Sequence, residues 1–347
     1  MTSLESKAIL NLRFPLMLGV VLIHCVVIDP SLARSQGFVL TSALVQLCSF
    51  GLTSPCVPLF FFISGYLFFY KYPKCFTVGN YGNQLCKRIR SILVPYLFWN
   101  LVVLGYFACI HRFVPLLVNP AFNNVYQYSW LEWLRSFWDY PGNQPICFQF
   151  WFLRDLMVVM VCSPLIYVLA NYGRQWVVFL AMAIYLYSPS FFTCQMAFTF
   201  FTIGATFAIH QWNFADMACR CVRFLAPVWV VGLVVSNLYM GLSDLLSPLL
   251  AFLGGIVYLW LATLPSPQPS QWMSFLSSGS FFIYAFHGFP LGVLTKLASR
   301  VLQPSSDLMW LLIYVGSFFL IVSISLVLFW FLRKILPNFA TFITGGR

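Results

Sequence analysis

Arg13-Phe14-Pro15-Leu16-Met17-Leu18-Gly19-Val20-Val21-Leu22-Ile23-His24 decides the fold. Ten uncharged residues separate an arginine from a histidine, and the apolar run around them covers residues 8–28. A helix needs roughly 20 mostly apolar residues to cross a bilayer. Arg13 and His24 are eleven residues apart. At 100° per residue that is about 1,100°, three turns plus roughly 20°. Both side chains therefore leave one face of a helix, about 16 Å apart along its axis. Taken singly, Arg13 reads as a snorkelling anchor and His24 as an interhelical hydrogen-bonding residue. As a pair on one face they point to function, because ionisable side chains inside a membrane are costly.

The rest of the chain agrees with a bilayer environment. Of 347 residues, 61% are hydrophobic and 8% charged, where soluble domains run at about 45–50% and about 25%. A larger water-soluble core does not explain this, since a globule must still cover its surface with polar groups. The 12 Trp and 17 Tyr suit interfacial belts and helix packing. No polar stretch is long enough to fold alone, so residues 1–347 read as one integral-membrane domain. The eleven Cys form neither a C-x-x-C pair nor a disulfide framework. Cys25, Cys109, Cys162 and Cys194 lie in apolar runs, where Cys acts as a small hydrophobe. Cys219 and Cys221 lack a nearby His pair for zinc, and no metal site is expected.

Ten spans are expected: about 8–28, 55–70, 91–110, 149–170, 175–189, 192–209, 222–241, 246–264, 277–298 and 309–332. Segment 38–53 runs into Pro55 and Pro58 and reads as a helix at or dipping into the outer interface. The fold class is thus all-α, a polytopic bundle of about ten transmembrane helices with both termini cytoplasmic. That orientation places Lys7, Arg13, Lys71, Lys74, Lys87, Arg88, Arg90, Arg174, Arg220, Arg223, Arg333, Lys334 and Arg347 inside. Arg34, Arg112, Arg135, Lys296 and Arg300 fall outside, and Arg154 within a helix. This positive-inside bias accounts for the excess of 19 basic over 8 acidic residues without a nucleic-acid partner. The bias is consistent only if the first helix is kept, which argues against a cleaved signal peptide ending at Ser31-Leu32-Ala33. The longest outer connection, about 111–148, carries Trp130, Trp133 and Trp138 and reads as a partly helical surface segment, a candidate lid.

Few ionisable groups remain to be explained. His287 lies in the ninth span with Tyr284 three residues before it, on the same face; it is a packing histidine or a functional one. His111 and His210 fall at helix ends within reach of water. Arg154 and Asp155 open the fourth span after Trp151. Adjacent helical residues diverge by about 100°, so these two need not pair, and polar roles toward the bundle interior are expected. Lys87-Arg88-Ile89-Arg90 either anchors topology or clamps phosphate at the cytoplasmic mouth. Ser64-Gly65, a small pair among bulky residues, lets another backbone come close.

Taken in order, these pieces resemble the membrane-bound acyltransferase 3 family over nearly the whole chain. Arg13 with His24 matches its R-x10-H signature. Phe61-Phe62-Ile63-Ser64-Gly65-Tyr66, Lys87-Arg88-Ile89-Arg90 through Pro95-Tyr96, Trp151-Phe152-Leu153-Arg154-Asp155-Leu156 and Ile283-Tyr284-Ala285-Phe286-His287 follow. The resemblance implies an enzyme of the cell (inner) membrane. It would take an acyl group, typically acetyl, from cytoplasmic acyl-CoA (acetyl-CoA as co-substrate, no bound cofactor). The acceptor would be a hydroxyl of a cell-surface glycan or lipid-linked sugar precursor. It also implies that the R-x10-H pair is essential and that the basic group after the second helix serves the donor. The family often shows R-x-x-R there; here the spacing is Lys87-x-x-Arg90, and Lys holds phosphate without a bidentate fork. Some members carry an extracytoplasmic esterase-like domain, which is not expected in this chain.

Acyl transfer to a hydroxyl needs a base or an acyl-carrying nucleophile, and stabilisation of the oxyanion. His24 suits either part. Arg13 would meet donor phosphate or carbonyl charge, and Lys87, Arg88 and Arg90 the CoA phosphates. Trp151, Arg154, Asp155, Tyr284 and His287 would shape or support the acceptor side. A glycan exporter or flippase is the rival reading, since buried His and Arg fit it too.

Overall fold

The computed structural model describes residues 2–73, 75–113, 124–139, 142–187, 194–264 and 271–346, with the backbone alone for 271–274. Lys74, Arg347 and part of the 111–148 connection lie outside the described residues. Most of the described residues are helical, and none of them lies in a strand. In lipid this is what a single chain can do, because a helix satisfies its backbone polar groups within itself.

The first helix, α1 (Ser3–His24), starts where the Thr2 hydroxyl accepts from the Glu5 amide and the Glu5 carboxylate accepts from the Thr2 amide. It ends at His24, capped by Cys25. After the short α2 (Pro30–Ser35), helix α3 (Val39–Val45) continues through a π-helical stretch, Gln46–Leu52, into α4 (Cys56–Phe69). Val39–Phe69 is one apolar run of 31 residues. The expected interfacial segment 38–53 is thus joined to the span 55–70 rather than lying apart from it. Pro55 and Pro58 sit at the start of α4, where a missing N–H leaves no bond unmade.

Lys87, Arg88 and Arg90 lie not in a loop but in helix. They close α5 (Val78–Arg88) and the π-turn Ile89–Leu93 that feeds α6 (Val94–Phe113). A short α7 (Trp130–Arg135) precedes α8 (Trp151–Val161) and α9 (Ser163–Tyr187), whose helical run is broken at Arg174 with φ 48°. Then come α10 (Gln195–Ile209), α11 (Phe214–Leu238), α12 (Ser243–Thr263), α13 (Gln271–Phe286), α14 (Gly288–Leu302), α15 (Asp307–Ile335) and α16 (Pro337–Thr344).

Among the described residues six helices are long and apolar enough to cross a membrane, or eight if each of two bent pairs counts as one span. The sequence reading gave ten. The expected span 149–170 is bent by 67° at Cys162, and 277–298 by 69° at His287. Gln195–Ile209 is shorter than a crossing needs. Hydropathy sums composition along the chain and does not register a change of direction.

The helices interlock closely. At the crossing of α4 with α10, a Cβ on Gly65 would stand 2.1 Å from the Phe201 carbonyl oxygen, and one on Gly204 would stand 2.0 Å from that of Phe62. Only glycine permits backbones this close. Ser64 beside Gly65 is half-buried. The Ser49 hydroxyl donates to the Leu22 carbonyl (2.7 Å) and pairs with the Tyr314 hydroxyl (2.8 Å). This ties the end of α1 to the first half of α15.

Candidate active site

Two breaks in helix build the site. His24 is the last residue of α1. His287 is the residue at which α13 gives way to α14. The rings face each other with centroids 5.4 Å apart, and Phe148 meets His24 edge-on at 5.1 Å. His24 is half-buried and His287 fully buried. The sequence reading held the two histidines as separate possibilities on two helices; the fold brings them together.

The hydrogen bonds of His287 fix its chemistry. Nδ1 lies 3.0 Å from the Ile283 carbonyl oxygen. A carbonyl only accepts, so Nδ1 carries the proton and Nε2 of the neutral ring keeps its lone pair. Nε2 is buried and has no hydrogen-bond partner among the described residues. A buried polar atom without a partner is expensive and calls for an explanation.

The wall opposite comes from the end of the 111–148 connection. Ser136, Ile146 and Cys147 are buried, as are Gln149 and Phe150 just beyond. Five anchors hold this stretch. The Tyr96 hydroxyl donates to the Phe137 carbonyl. Asn100, fully buried, accepts from the Cys147 amide at 3.1 Å. Arg154 donates to the carbonyls of Trp138 and Asn143 at 2.9 and 2.7 Å. The Tyr284 hydroxyl donates to the Gln149 carbonyl at 2.7 Å. The Gln149 carboxamide donates to the Ala285 carbonyl at 3.0 Å. The expected surface lid therefore ends as an inner wall, because its backbone carbonyls find donors inside the bundle.

Other sequence candidates fall into place around this centre. Arg154 and Asp155, both buried, do pair: Nε donates to the carboxylate at 2.8 Å. The 100° divergence is overcome by the long arginine side chain, and in an apolar interior each charge lacks a better partner. Tyr284 stacks on Phe150 at 5.3 Å and lies 6.3 Å from His287. Trp151 is half-buried against the core. Arg13 is exposed on α1, as are Lys87 and Arg90, whereas Arg88 is half-buried with its Nε enclosed and unpartnered. His210 is tied to the Ala170 carbonyl at 2.9 Å and stacks on Trp212. Among the described residues no three His, Cys, Asp or Glu side chains gather to hold a metal ion.

Phe148, Gln149 and Asn100 were not foreseen. A search for ionisable groups in apolar runs passes over amides and rings. The interruption of Phe148-Gln149-Phe150-Trp151 by one carboxamide was the available signal.

A bundle that crosses the membrane several times is what the motif resemblance implied; the facing of His24 and His287 is an addition from the fold. The acyltransferase domain model of the acyltransferase 3 family matches residues 7–330, and the chain belongs to that family. It is a multi-pass membrane acyltransferase. The succinoglycan biosynthesis protein ExoH of Rhizobium meliloti (strain 1021) is 26% identical over 306 residues, covering 84% of this chain and 79% of that relative. No solved structure matches the chain.

Proposed function

We propose that this enzyme takes an acetyl group from cytoplasmic acetyl-CoA and transfers it to a hydroxyl of a cell-surface glycan or its lipid-linked precursor. His24 acts as base or as acyl carrier. The observation that carries this reading is the His24–His287 pair, 5.4 Å apart and enclosed by Phe148 and the buried 146–150 wall. Two neutral imidazoles in an apolar setting can take and return a proton, and one can hold an acyl group. ExoH, named for biosynthesis of a polysaccharide, supports a glycan acceptor.

The donor side follows from α1. Arg13 is exposed on the face that carries His24, about 16 Å away by helical rise. A phosphate held at Arg13 and a thioester presented at His24 fit one extended donor lying along the helix. Lys87, Arg88 and Arg90 supply further phosphate ligands, with Arg88 directing an enclosed, unpartnered Nε. The positive-inside bias of the sequence supports cytoplasmic termini, and the reading sets the protein in the inner membrane.

Replacing His24 by Ala tests this. Surface-glycan acetylation should fall by about 10²–10⁴-fold, the range for loss of a general base, at unchanged protein level. Undiminished acetylation would remove His24 from the chemistry. A rise in melting temperature with CoA separates the enzyme from an exporter, which has no use for CoA.

A further inference from the structure

The chemistry above uses His24 and leaves two enclosed atoms of the same site without partners, His287 Nε2 and Gln149 Oε1. His287 is fully buried and Gln149 is 2% exposed. Neither atom is free to turn into a donor. The His287 Nδ1 proton is committed to the Ile283 carbonyl. The Gln149 amide nitrogen is committed to the Ala285 carbonyl at 3.0 Å, which fixes the orientation of the carboxamide. The Gln149 backbone is held in turn by Tyr284. Both atoms are therefore acceptors only. Gln149 packs against the residue that follows His287: a Cβ built on Gly288 would stand 2.4 Å from Gln149 Oε1. Such a pair cannot stabilise an oxyanion, which needs donors. It matches a molecule that brings two hydrogen-bond donors side by side.

We propose that His287 and Gln149 form the acceptor subsite and select a vicinal diol, the arrangement of adjacent hydroxyls on a sugar ring. This rests on the glycan-acetylation reading and specifies its acceptor. Gln149 Oε1 accepts from one hydroxyl and positions the sugar. His287 Nε2 accepts from the neighbouring hydroxyl and takes its proton as that oxygen attacks when His24 carries the acyl group; in direct transfer that proton goes to His24. The new bond joins the acceptor oxygen to the acyl carbon. The bond that breaks joins the acyl carbon to the CoA sulfur, or to the His24 ring nitrogen if the group is carried. The proton then passes from His287 to the departing His24 imidazole, or from His24 to the departing thiolate in direct transfer, so both histidines end neutral and no further reactant is needed. A site that fixes a buried acceptor in this way discriminates strongly against an analogue lacking the hydroxyl, because the acceptor is then left unpaired.

The first test needs no variant. In cells whose only copy is the native enzyme, NMR of the surface glycan should place acetyl on ring oxygens whose neighbouring carbon carries a free hydroxyl. Acetyl on isolated hydroxyls would overturn the subsite while leaving the glycan acetyltransferase intact; no acetyl at all would overturn the parent reading. In the same cells, His287→Gln should lower acetylation by about 100-fold or more, and Gln149→Met by about tenfold, the loss of one buried hydrogen bond. Gly288→Ala, which drives a methyl against Gln149, should resemble Gln149→Met. The CoA-induced rise in melting temperature should persist in all three, since they leave the donor side untouched. Acetylation within about twofold of native, or loss of the CoA response together with acetylation, would overturn the assignment.

Discussion

Arg154 with Asp155, and His24 with His287, are both ionisable pairs inside an apolar bundle, and they are completed differently. The first is closed: the guanidinium meets the carboxylate and two backbone carbonyls, leaving little to offer a ligand. The second is open: the rings touch only at aromatic distance, and His287 keeps a bare lone pair. Burial alone thus does not mark a functional residue. What separates the two is whether the fold has already supplied the partner. The charged pair welds the inner wall to α8, and the neutral pair faces what that wall encloses.

The comparison is broken or sharpened by substitution. The largest expected effect is His24→Ala, about 10²–10⁴-fold in acetyl transfer with little change in melting temperature. Arg154→Ala should invert that signature. Removing one partner of a buried pair costs about 3–5 kcal/mol, so folded protein should fall sharply in a membrane-level assay. A stable Arg154→Ala enzyme with lost activity would instead move the pair into the chemistry. Gly65→Ala should cost about 1–3 kcal/mol, because the methyl must push the Phe201 backbone away; activity per folded molecule should hold. Tyr284→Phe removes one buried hydrogen bond, about 1 kcal/mol, from the carbonyl that seats Gln149. Its expected trace is a modest rise in acceptor KM at constant donor affinity. The smallest effect is expected for exposed Lys87→Arg, which restores a fork for phosphate and should tighten CoA binding by a few-fold in a thermal-shift titration.

Much of the site was legible before folding. Arg13 and His24 were placed on one face by helical period alone, and α1 runs unbroken between them. The small residue Gly65 was legible as a place of close approach, though its partner Gly204 was not, since one chain segment does not announce which other it will cross. The direction change at His287 was also hidden: Ile283-Tyr284-Ala285-Phe286-His287-Gly288 is apolar on both sides of the bend.

What the sequence by itself determined is the class of solvent, the helical class and the chemistry available. So few polar groups survive in so much apolar chain that each had to be satisfied or used, and the family motifs name the reaction. The tertiary structure decided which groups were satisfied and which were left. His24 and His287 are 263 positions apart, and Gln149 stands where the expected outer connection gives way to the fourth span. Their meeting depends on two helices ending at one depth and on a wall pinned by carbonyl hydrogen bonds. Those are long-range contacts, which residue type and local period do not encode.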